Sequence, residues 1–187
     1  MTPVPHATPE APSIAYIGLG GNLPFGAQSV AETFAAALAA IAAAGPRIRA
    51  LSSLWESSAW PPSDQPAFLN AAAAFDVGDW PAERLYALMA ETETRFGRVR
   101  DARWAARTLD LDLLDFNGQA GEVCGLILPH PRLHERGFAL QPLLEIAPDW
   151  VHPGLGRPGA ALLEQVLPGS YAHKIAPLRI ASAVDGD

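Results

Sequence analysis

The chain has 187 residues and a mass of 19.8 kDa, which fits a single domain with its own hydrophobic core. Its formal net charge of -7 argues against a general nucleic-acid binder, because such proteins need a broad basic surface. The single cysteine, Cys124, excludes an intramolecular disulfide framework and fits a reduced, cytoplasmic setting.

The first part of the chain predicts one strand and one helix. Residues 1–13 lack the basic start and apolar stretch of a signal peptide and are expected to form a flexible tail. Residues 14–19 are apolar and favour a strand. Residues 27–44 have apolar side chains at helical spacing, with Ser29 and Glu32 placed to form a capping box. The apolar run within this helix is shorter than the ~20 residues that span a bilayer, so we expect a soluble protein.

The next elements complete a recognisable order. Residues 48–55 predict a second strand, and the long loop that follows, residues 56–69, is of a length that is usually functional. Residues 70–77 are assigned to a third strand because the segment is short and ends in Asp-Val-Gly-Asp, although its four consecutive alanines favour a helix. Pro81 opens a helix that Gly97 ends. With the acidic strand described below, the order is the split βαβ pattern of a ferredoxin-like α+β sandwich, an antiparallel sheet with helices packed on it.

Shorter elements follow this core. Residues 140–146 and 160–167 predict short helices. We therefore expect one domain over residues 14–167 with extra C-terminal elements, and a loosely attached tail over residues 168–187.

Two carboxylates interrupt the apolar run of residues 107–114. Because side chains alternate along a strand, Asp110 and Asp112 share one face, roughly 6.5–7 Å apart, while the leucines between and beside them point the other way. Paired carboxylates on a rigid strand suit Mg²⁺, which takes a few protein oxygens and leaves other positions to water and phosphate. A solvated strand face is the alternative for an isolated Asp-x-Asp.

Five of the twelve arginines lie just before this strand, at positions 95, 98, 100, 103 and 107. Guanidinium groups bind phosphate oxygens in a bidentate manner, so the cluster favours a phosphorylated small-molecule ligand. A dinucleotide fingerprint is excluded because Leu23 stands where the third glycine is required. A P-loop is excluded because Lys174, the single lysine, has no glycine-rich segment before it.

These residues resemble the 6-hydroxymethyl-7,8-dihydropterin pyrophosphokinases of folate biosynthesis. The most specific match runs from Arg103 to Leu114 and ends in Arg-x-x-Asp-Leu-Asp and two leucines. Four further segments match in the same order: residues 16–20, 64–70, 97–98 and 129–136. The resemblance implies a ferredoxin-like core, transfer of pyrophosphate from ATP to the pterin hydroxymethyl oxygen with release of AMP, and two Mg ions.

The resemblance also implies roles for residues around the phosphates. Asp110 and Asp112 match the metal-binding acids, and Arg98 and Arg107 the catalytic arginines. The positions that match ATP contacts are Glu93, Arg103, Trp104, Leu113, His130 and Arg136. For Arg98 and Arg107 the alternative is a surface arginine paired with Glu91, Glu93 or Asp101. For Glu93 it is a solvated helix charge, and for Trp104 it is ordinary packing.

The pterin pocket is expected to come from the long loop and from the segment after His130. Phe68 and Phe138 match the two aromatics that stack on the ring, where an offset geometry suits extended π systems. Asn70 matches the residue that reads the ring edge through its amide, and Ser57 and Trp60 match positions that frame the pocket. The alternative is that Phe68, Phe138 and Trp60 are buried in the hydrophobic core.

Some positions depart from the family. Ala105-Ala106 replaces the more usual Gly-Pro, the loop before Arg107 is one residue short, and Pro131, Gly125 and Ile127 stand where some members have Tyr, Arg and Thr. Two other functions fit parts of the pattern. Nucleotidyl transfer also uses paired acids, and a ferredoxin-like sheet can bind RNA on exposed aromatics, although the acidic composition disfavours RNA. The expected partners are ATP and the pterin, without nucleic acid or membrane, and the expected state is a monomer.

Overall fold

A computed structural model describes residues 13–59, 62–98, 105–123, 125–166 and 168–180. The described elements, in chain order, are β1 (Ile14–Gly21), α1 (Val30–Ala43), β2 (Arg47–Leu51), β3 (Ser53–Ser57), β4 (Phe68–Asp76), α2 (Ala82–Arg95), β5 (Asp110–Phe116), β6 (Gly121–Val123), β7 (Leu126–Leu128), α3 (Gly137–Ile146), β8 (Val151–His152), β9 (Arg157–Pro158), α4 (Gly159–Leu163) and β10 (His173–Pro177). Single 3-10 turns lie at Leu133–Glu135 and Pro168–Ser170.

The main sheet has the strand order β10-β3-β4-β1-β5, and β2 also pairs with β4. Every pair in it is antiparallel. The central strands β1 and β4 are therefore flanked by strands that come later and earlier in the chain, as the split βαβ order requires. The predicted ferredoxin-like α+β sandwich is confirmed.

Two layers of side chains cover the two faces of the sheet. In β1 the buried residues alternate with less buried ones, so Ile17 and Leu19 join a core with residues of α1 and α2. Phe34 of α1 is fully buried in that core. The opposite face carries a second cluster in which Leu114 packs with residues of α3 and α4. The cavity described below opens on this second face.

A β-bulge in β5 places two consecutive residues, Leu114 and Asp115, on the same face of the sheet. Asp115 pairs with Tyr16 and Leu113 pairs with Ile17, so Leu114 is the extra residue. Leu113 packs in the first core and Leu114 in the second. Asp115 is also on the second side, where its carboxylate accepts a hydrogen bond of 2.8 Å from the indole N–H of Trp150.

Local signals account for the first helix. Ser29 caps α1 and Glu32 returns a hydrogen bond to the Ser29 backbone, so the predicted capping box is present. The helix consequently begins at Val30 and not at residue 27.

The predicted second strand is wrong in one respect, because residues 48–55 belong to two strands. The break is at Ser52, whose hydroxyl accepts the N–H of Ala72 at 2.8 Å. A side-chain oxygen thus takes the place of a ladder partner, and the chain kinks between β2 and β3.

The prediction of a loosely attached tail from residue 168 is wrong for the part that the structure describes. β10 pairs with β3 and extends the main sheet. The predicted helix at residues 160–167 is shorter, at Gly159–Leu163, and the one at 140–146 begins earlier, at Gly137. Among the described residues, no helix has the length and apolar character needed to cross a membrane.

Candidate active site

A cavity of about 310 Å³ lies on the face of the sheet that α1 and α2 leave uncovered. Its walls come from β1, β5, the end of β3, the loop before β4 and the start of α3. The predicted site residues that line it are Ser57, Phe68, Asn70, Arg107, Asp110, Asp112, Arg136 and Phe138. The structure therefore brings together both halves of the predicted site.

The two predicted metal ligands stand next to glycines. Gly20 of β1 is the cross-strand partner of Asp110, and Gly18 is the partner of Asp112. Because these neighbours have no side chains, the carboxylates face open space, with side chains 21% and 38% exposed. The intervening Leu111 is buried on the other face, as the strand alternation predicts.

Each carboxylate has its own pair of basic groups. Asp110 Oδ1 lies 2.7 Å from Arg98 Nη1, and its Oδ2 lies 2.5 Å from Arg107 Nη1. Asp112 Oδ2 lies 3.4 Å from Arg136 Nη1, and its Oδ1 lies 3.9 Å from His130 Nε2. Four basic side chains, contributed by three separate segments, therefore converge on two acids.

Burial and charge shift the proton affinities of this cluster. Burial raises the pKa of Asp110, and the charge of Asp112 raises it further, although Arg107 and Arg98 oppose both effects. Burial also lowers the pKa of His130, against the pull of Asp112. The imidazole is thus favoured in its neutral form, which can donate one hydrogen bond.

Glu93 is neither solvated nor part of the cavity wall. It is 4% exposed, accepts the backbone N–H of Leu111 at 2.7 Å, and forms an ion pair with Arg98. Arg98 therefore bridges Glu93 and Asp110. The carboxylate of Glu93 fixes the edge of β5 and the direction of the Arg98 side chain.

Asn22 is a buried residue that the sequence did not single out. Its Oδ1 accepts the N–H of Arg107 at 2.9 Å, and its Nδ2 donates to Pro66 O at 3.1 Å and to Gln65 Oε1 at 3.4 Å. The backbone N–H groups of Asn22 and Leu23 both donate to Arg107 O. Asn22 thus joins the Arg107 backbone to the loop before β4.

At the far side of the cavity, Asn70 has a defined orientation. Its Nδ2 donates to Ser57 Oγ at 2.9 Å and to Trp55 O at 3.3 Å. Both amide protons are used in this way, so Oδ1 is the atom left to accept a hydrogen bond from a ligand. Phe68 and Phe138 line the same region and are only partly buried, outside both core clusters.

Several predicted residues lie elsewhere. The side chain of Leu113 packs in the first core, so a contact with a ligand would have to come from its backbone. His130 is near Asp112 but outside the cavity wall. Trp60, Arg103 and Trp104 lie outside the described residues. Gly18 and Gly20 of β1 form part of the wall, and their Gly-x-Gly spacing was the available sequence signal.

Comparison with known proteins identifies the family. A model of the family described as 7,8-dihydro-6-hydroxymethylpterin-pyrophosphokinase (HPPK) matches residues 16–148. The chain belongs to this family. HPPK enzymes carry out pyrophosphoryl transfer to hydroxymethyldihydropterin in folate biosynthesis with ATP, in general as Mg-ATP, and the predicted activity is confirmed at that level.

Individual relatives agree with this assignment. The chain is 40% identical over 168 residues to the 2-amino-4-hydroxy-6-hydroxymethyldihydropteridine pyrophosphokinase of Synechocystis, covering 89% of this chain and 83% of the relative. It is 42% identical over 135 residues to the protein of the same name from Pseudomonas aeruginosa, covering 72% and 80%. The crystal structure of wild-type Plasmodium falciparum HPPK-DHPS with pteroate superposes with a TM-score of 0.62 at 10% identity. That match covers 83% of this chain and 44% of the longer Plasmodium chain, and it supports the HPPK fold.

Proposed function

We propose that the cavity binds the pterin and the triphosphate of ATP side by side, and that the residues lining it perform the transfer. The observation that carries this proposal is the division of the wall into two parts. Asn70, Phe68 and Phe138 form a part suited to a flat ring with N–H groups, while Asp110 and Asp112 with their basic partners form a part suited to metal and phosphate.

Asp110 and Asp112 would hold the two magnesium ions. The residues fit this role because they present carboxylate oxygens on one rigid strand. Within the described residues no group of three acidic, His or Cys side chains surrounds a common point, so the remaining ligands would be phosphate oxygens and water, as Mg²⁺ prefers. Bound magnesium would neutralise the triphosphate and polarise the transferred phosphorus.

The arginines would change partners when the nucleotide binds. In the structure, Arg98 and Arg107 neutralise Asp110. When cations occupy the acids, both guanidinium groups become available to the phosphate oxygens, where they would stabilise charge in the transition state. Arg136 beside Asp112 and a neutral His130 would contact the triphosphate from the other side.

The pterin would stack between Phe68 and Phe138, with Asn70 Oδ1 accepting a ring N–H. Ser57 reinforces this selection by occupying an amide proton of Asn70. A ligand that presented only acceptors at this point would leave the carbonyl oxygen unpaired, which costs roughly 1–3 kcal/mol for a buried group. The ring orientation would place the hydroxymethyl group toward the two acids.

The chemical step is direct in-line attack of the pterin hydroxyl on the β-phosphorus, with AMP as the leaving group. Transfers of this kind depend mainly on holding the reactants in line, which can supply roughly 7–11 kcal/mol. No separate general base is required. Several expectations stay predictions. They are the contacts of ATP with Glu93, Arg103, Trp104 and the Leu113 backbone, the framing of the pterin by Trp60, the monomeric state and the cytoplasmic location.

Product analysis tests the reaction. With MgATP and 6-hydroxymethyl-7,8-dihydropterin, the products should be AMP and pterin diphosphate. Formation of ADP would indicate a different phosphoryl transfer, and release of free pyrophosphate with a nucleotidylated pterin would favour nucleotidyl transfer. Salt-sensitive retention of RNA on a filter would favour the RNA-binding alternative.

Substitution of the acids tests the site. Asp110→Asn and Asp112→Asn keep the shape of the side chain but remove the charge that holds magnesium, so each should lower kcat by at least about 10³-fold, if the loss of metal costs roughly 4 kcal/mol. Asp79→Asn, an exposed acid in the turn before α2, is the matched control and should be fully active. Near-normal turnover in either cavity variant would contradict the metal assignment.

A further inference from the structure

The C-terminal segment 168–177 runs beside α3 and contacts it once per helical turn. The three contacts, from the segment to the helix, are Ser170 Oγ with Gly137 N at 2.8 Å, the Ala172 backbone with the Gln141 amide at 2.7 and 3.1 Å, and Lys174 Nζ with Glu145 Oε1 at 2.8 Å. Four helical residues rise about 6 Å and two extended residues about 6.6 Å, so the spacings match. The segment therefore fixes the position of α3 along its length.

The first of these contacts is next to the cavity. Ser170 is 2% exposed, and its hydroxyl accepts the N–H of Gly137 and donates to Glu135 O at 3.5 Å. These two backbone groups flank Arg136, whose guanidinium lies 3.4 Å from Asp112. One hydroxyl thus holds the chain on both sides of Arg136.

Ser170 also does what a capping residue ordinarily does. The N-cap of α3 is Arg136 itself, whose guanidinium has no acceptor atom to cap the helix and instead donates to Asp112. The first-turn N–H of Gly137 would lack an acceptor without Ser170. A side chain on Gly137 would come within 2.8 Å of Ser170 O, so the two segments approach as closely as a glycine allows.

We infer that Ser170 is a positioning residue for Arg136. The family model matches residues 16–148, so a segment that lies beyond this match helps to build the nucleotide site. The inference rests on the proposed function insofar as Arg136 is taken to contact the triphosphate. The hydrogen bonds of the Ser170 hydroxyl go to backbone groups, and Ser170 does not line the cavity, so it acts through the direction of the Arg136 side chain and not through the ligand.

Calorimetric titration with a nonhydrolysable ATP analogue and Mg²⁺ tests the inference without requiring turnover. Ser170→Ala leaves the Gly137 N–H unpaired, and we expect the dissociation constant to rise roughly three- to tenfold. Ser170→Cys fills the same volume with a weaker hydrogen-bonding group and should give a smaller increase. Lys174→Ala removes the contact farthest from the cavity and is the matched control, with an unchanged dissociation constant.

A double-mutant cycle separates positioning from general stability. In an Arg136→Ala background, Ser170→Ala should cause no further loss of affinity, because the side chain that it directs is absent. An equal loss in both backgrounds, or no loss in either, would overturn the inference. Thermal unfolding of each variant identifies any that do not fold, in which case Ser170→Cys decides. AMP formation by the wild-type chain reports separately on the proposed function.

Discussion

Asn22 gives the sharpest test of how the two halves of the cavity are held together. Asn22→Ala removes the acceptor for the Arg107 N–H and both donors to the loop at Gln65 and Pro66. A net hydrogen bond contributes about 0.5–1.5 kcal/mol, and an unpaired buried N–H costs about 1–3 kcal/mol. Three lost bonds, one of them weak at 3.4 Å, therefore amount to about 2–4 kcal/mol.

That free energy should appear both in stability and in catalysis. Thermal unfolding should occur several degrees lower, since for a chain of this size about 1 kcal/mol shifts the midpoint by roughly 2–4 °C. Because Arg107 would lose its fixed backbone, kcat should fall up to about 10²-fold, the cost of a displacement near 1 Å. Steady-state kinetics with each substrate varied in turn measures the kcat and KM effects.

A second variant separates the two connections of Asn22. Asn22→Asp keeps an acceptor for Arg107 but loses both donors to the loop, so the KM for the pterin should rise more than kcat falls. Asn117→Ala, which removes comparable hydrogen bonds to Ser13 and Ile14 far from the cavity, is the control and should affect stability alone. Unchanged kinetics in Asn22→Ala, with a lowered unfolding temperature, would refute the coupling.

Two further predictions concern the pH dependence of stability and Gly97, the glycine that follows α2. Burial, and then the charge of the neighbouring His134, lowers the pKa of His152, whose Nδ1 accepts the Leu155 N–H. Below about pH 6.5 the unfolded chain therefore binds more protons than the folded one, so the free energy of unfolding should decline as the pH falls. Urea titration should show a smaller decline in His152→Gln. Equal declines would contradict this. Gly97 has φ +78°, and a Cβ there would lie 2.6 Å from the Phe25 ring. Gly97→Ala should therefore destabilise the protein by at least about 1 kcal/mol and lower kcat. The control is Gly118→Ala, also at positive φ but in open space, which should leave kcat unchanged.

Local patterns carried much of the fold. The capping box before α1 and the alternation in β5 involve neighbours in the chain, and both could be predicted from residue type and spacing. The break at Ser52 could not, because it depends on a hydrogen bond from Ala72. The pairing of β10 with β3 joins segments more than a hundred residues apart, and β10 is exposed along its length, so it lacks an apolar signal.

The candidate active site also contains residues that could be predicted from the sequence and residues that could not. The acids and arginines could be predicted because their chemistry is evident in the sequence and because the family pattern matches them. The burial of Glu93 could not be predicted from a helix periodicity that also fits a solvated charge, since its partners are the edge of β5 and Arg98. Asn22 and Ser170 could not be predicted as site residues, because nothing in the neighbouring sequence distinguishes them. Their roles depend on hydrogen bonds to backbone groups of distant segments.

The extra residue in β5 constrains how this strand can change in length. With Leu114 present, Leu114 and Asp115 both point to the α3 side, and the carboxylate reaches Trp150. Removal of that one residue would restore strict alternation with Asp115 still opposite Tyr16 and facing Trp150, but it would take the buried Leu114 side chain out of the second cluster and remove the carbonyl that accepts the His130 N–H. Replacement of Leu114 by another aliphatic residue should therefore be tolerated far better than its deletion, and related chains should differ in length at the loops and not within this strand.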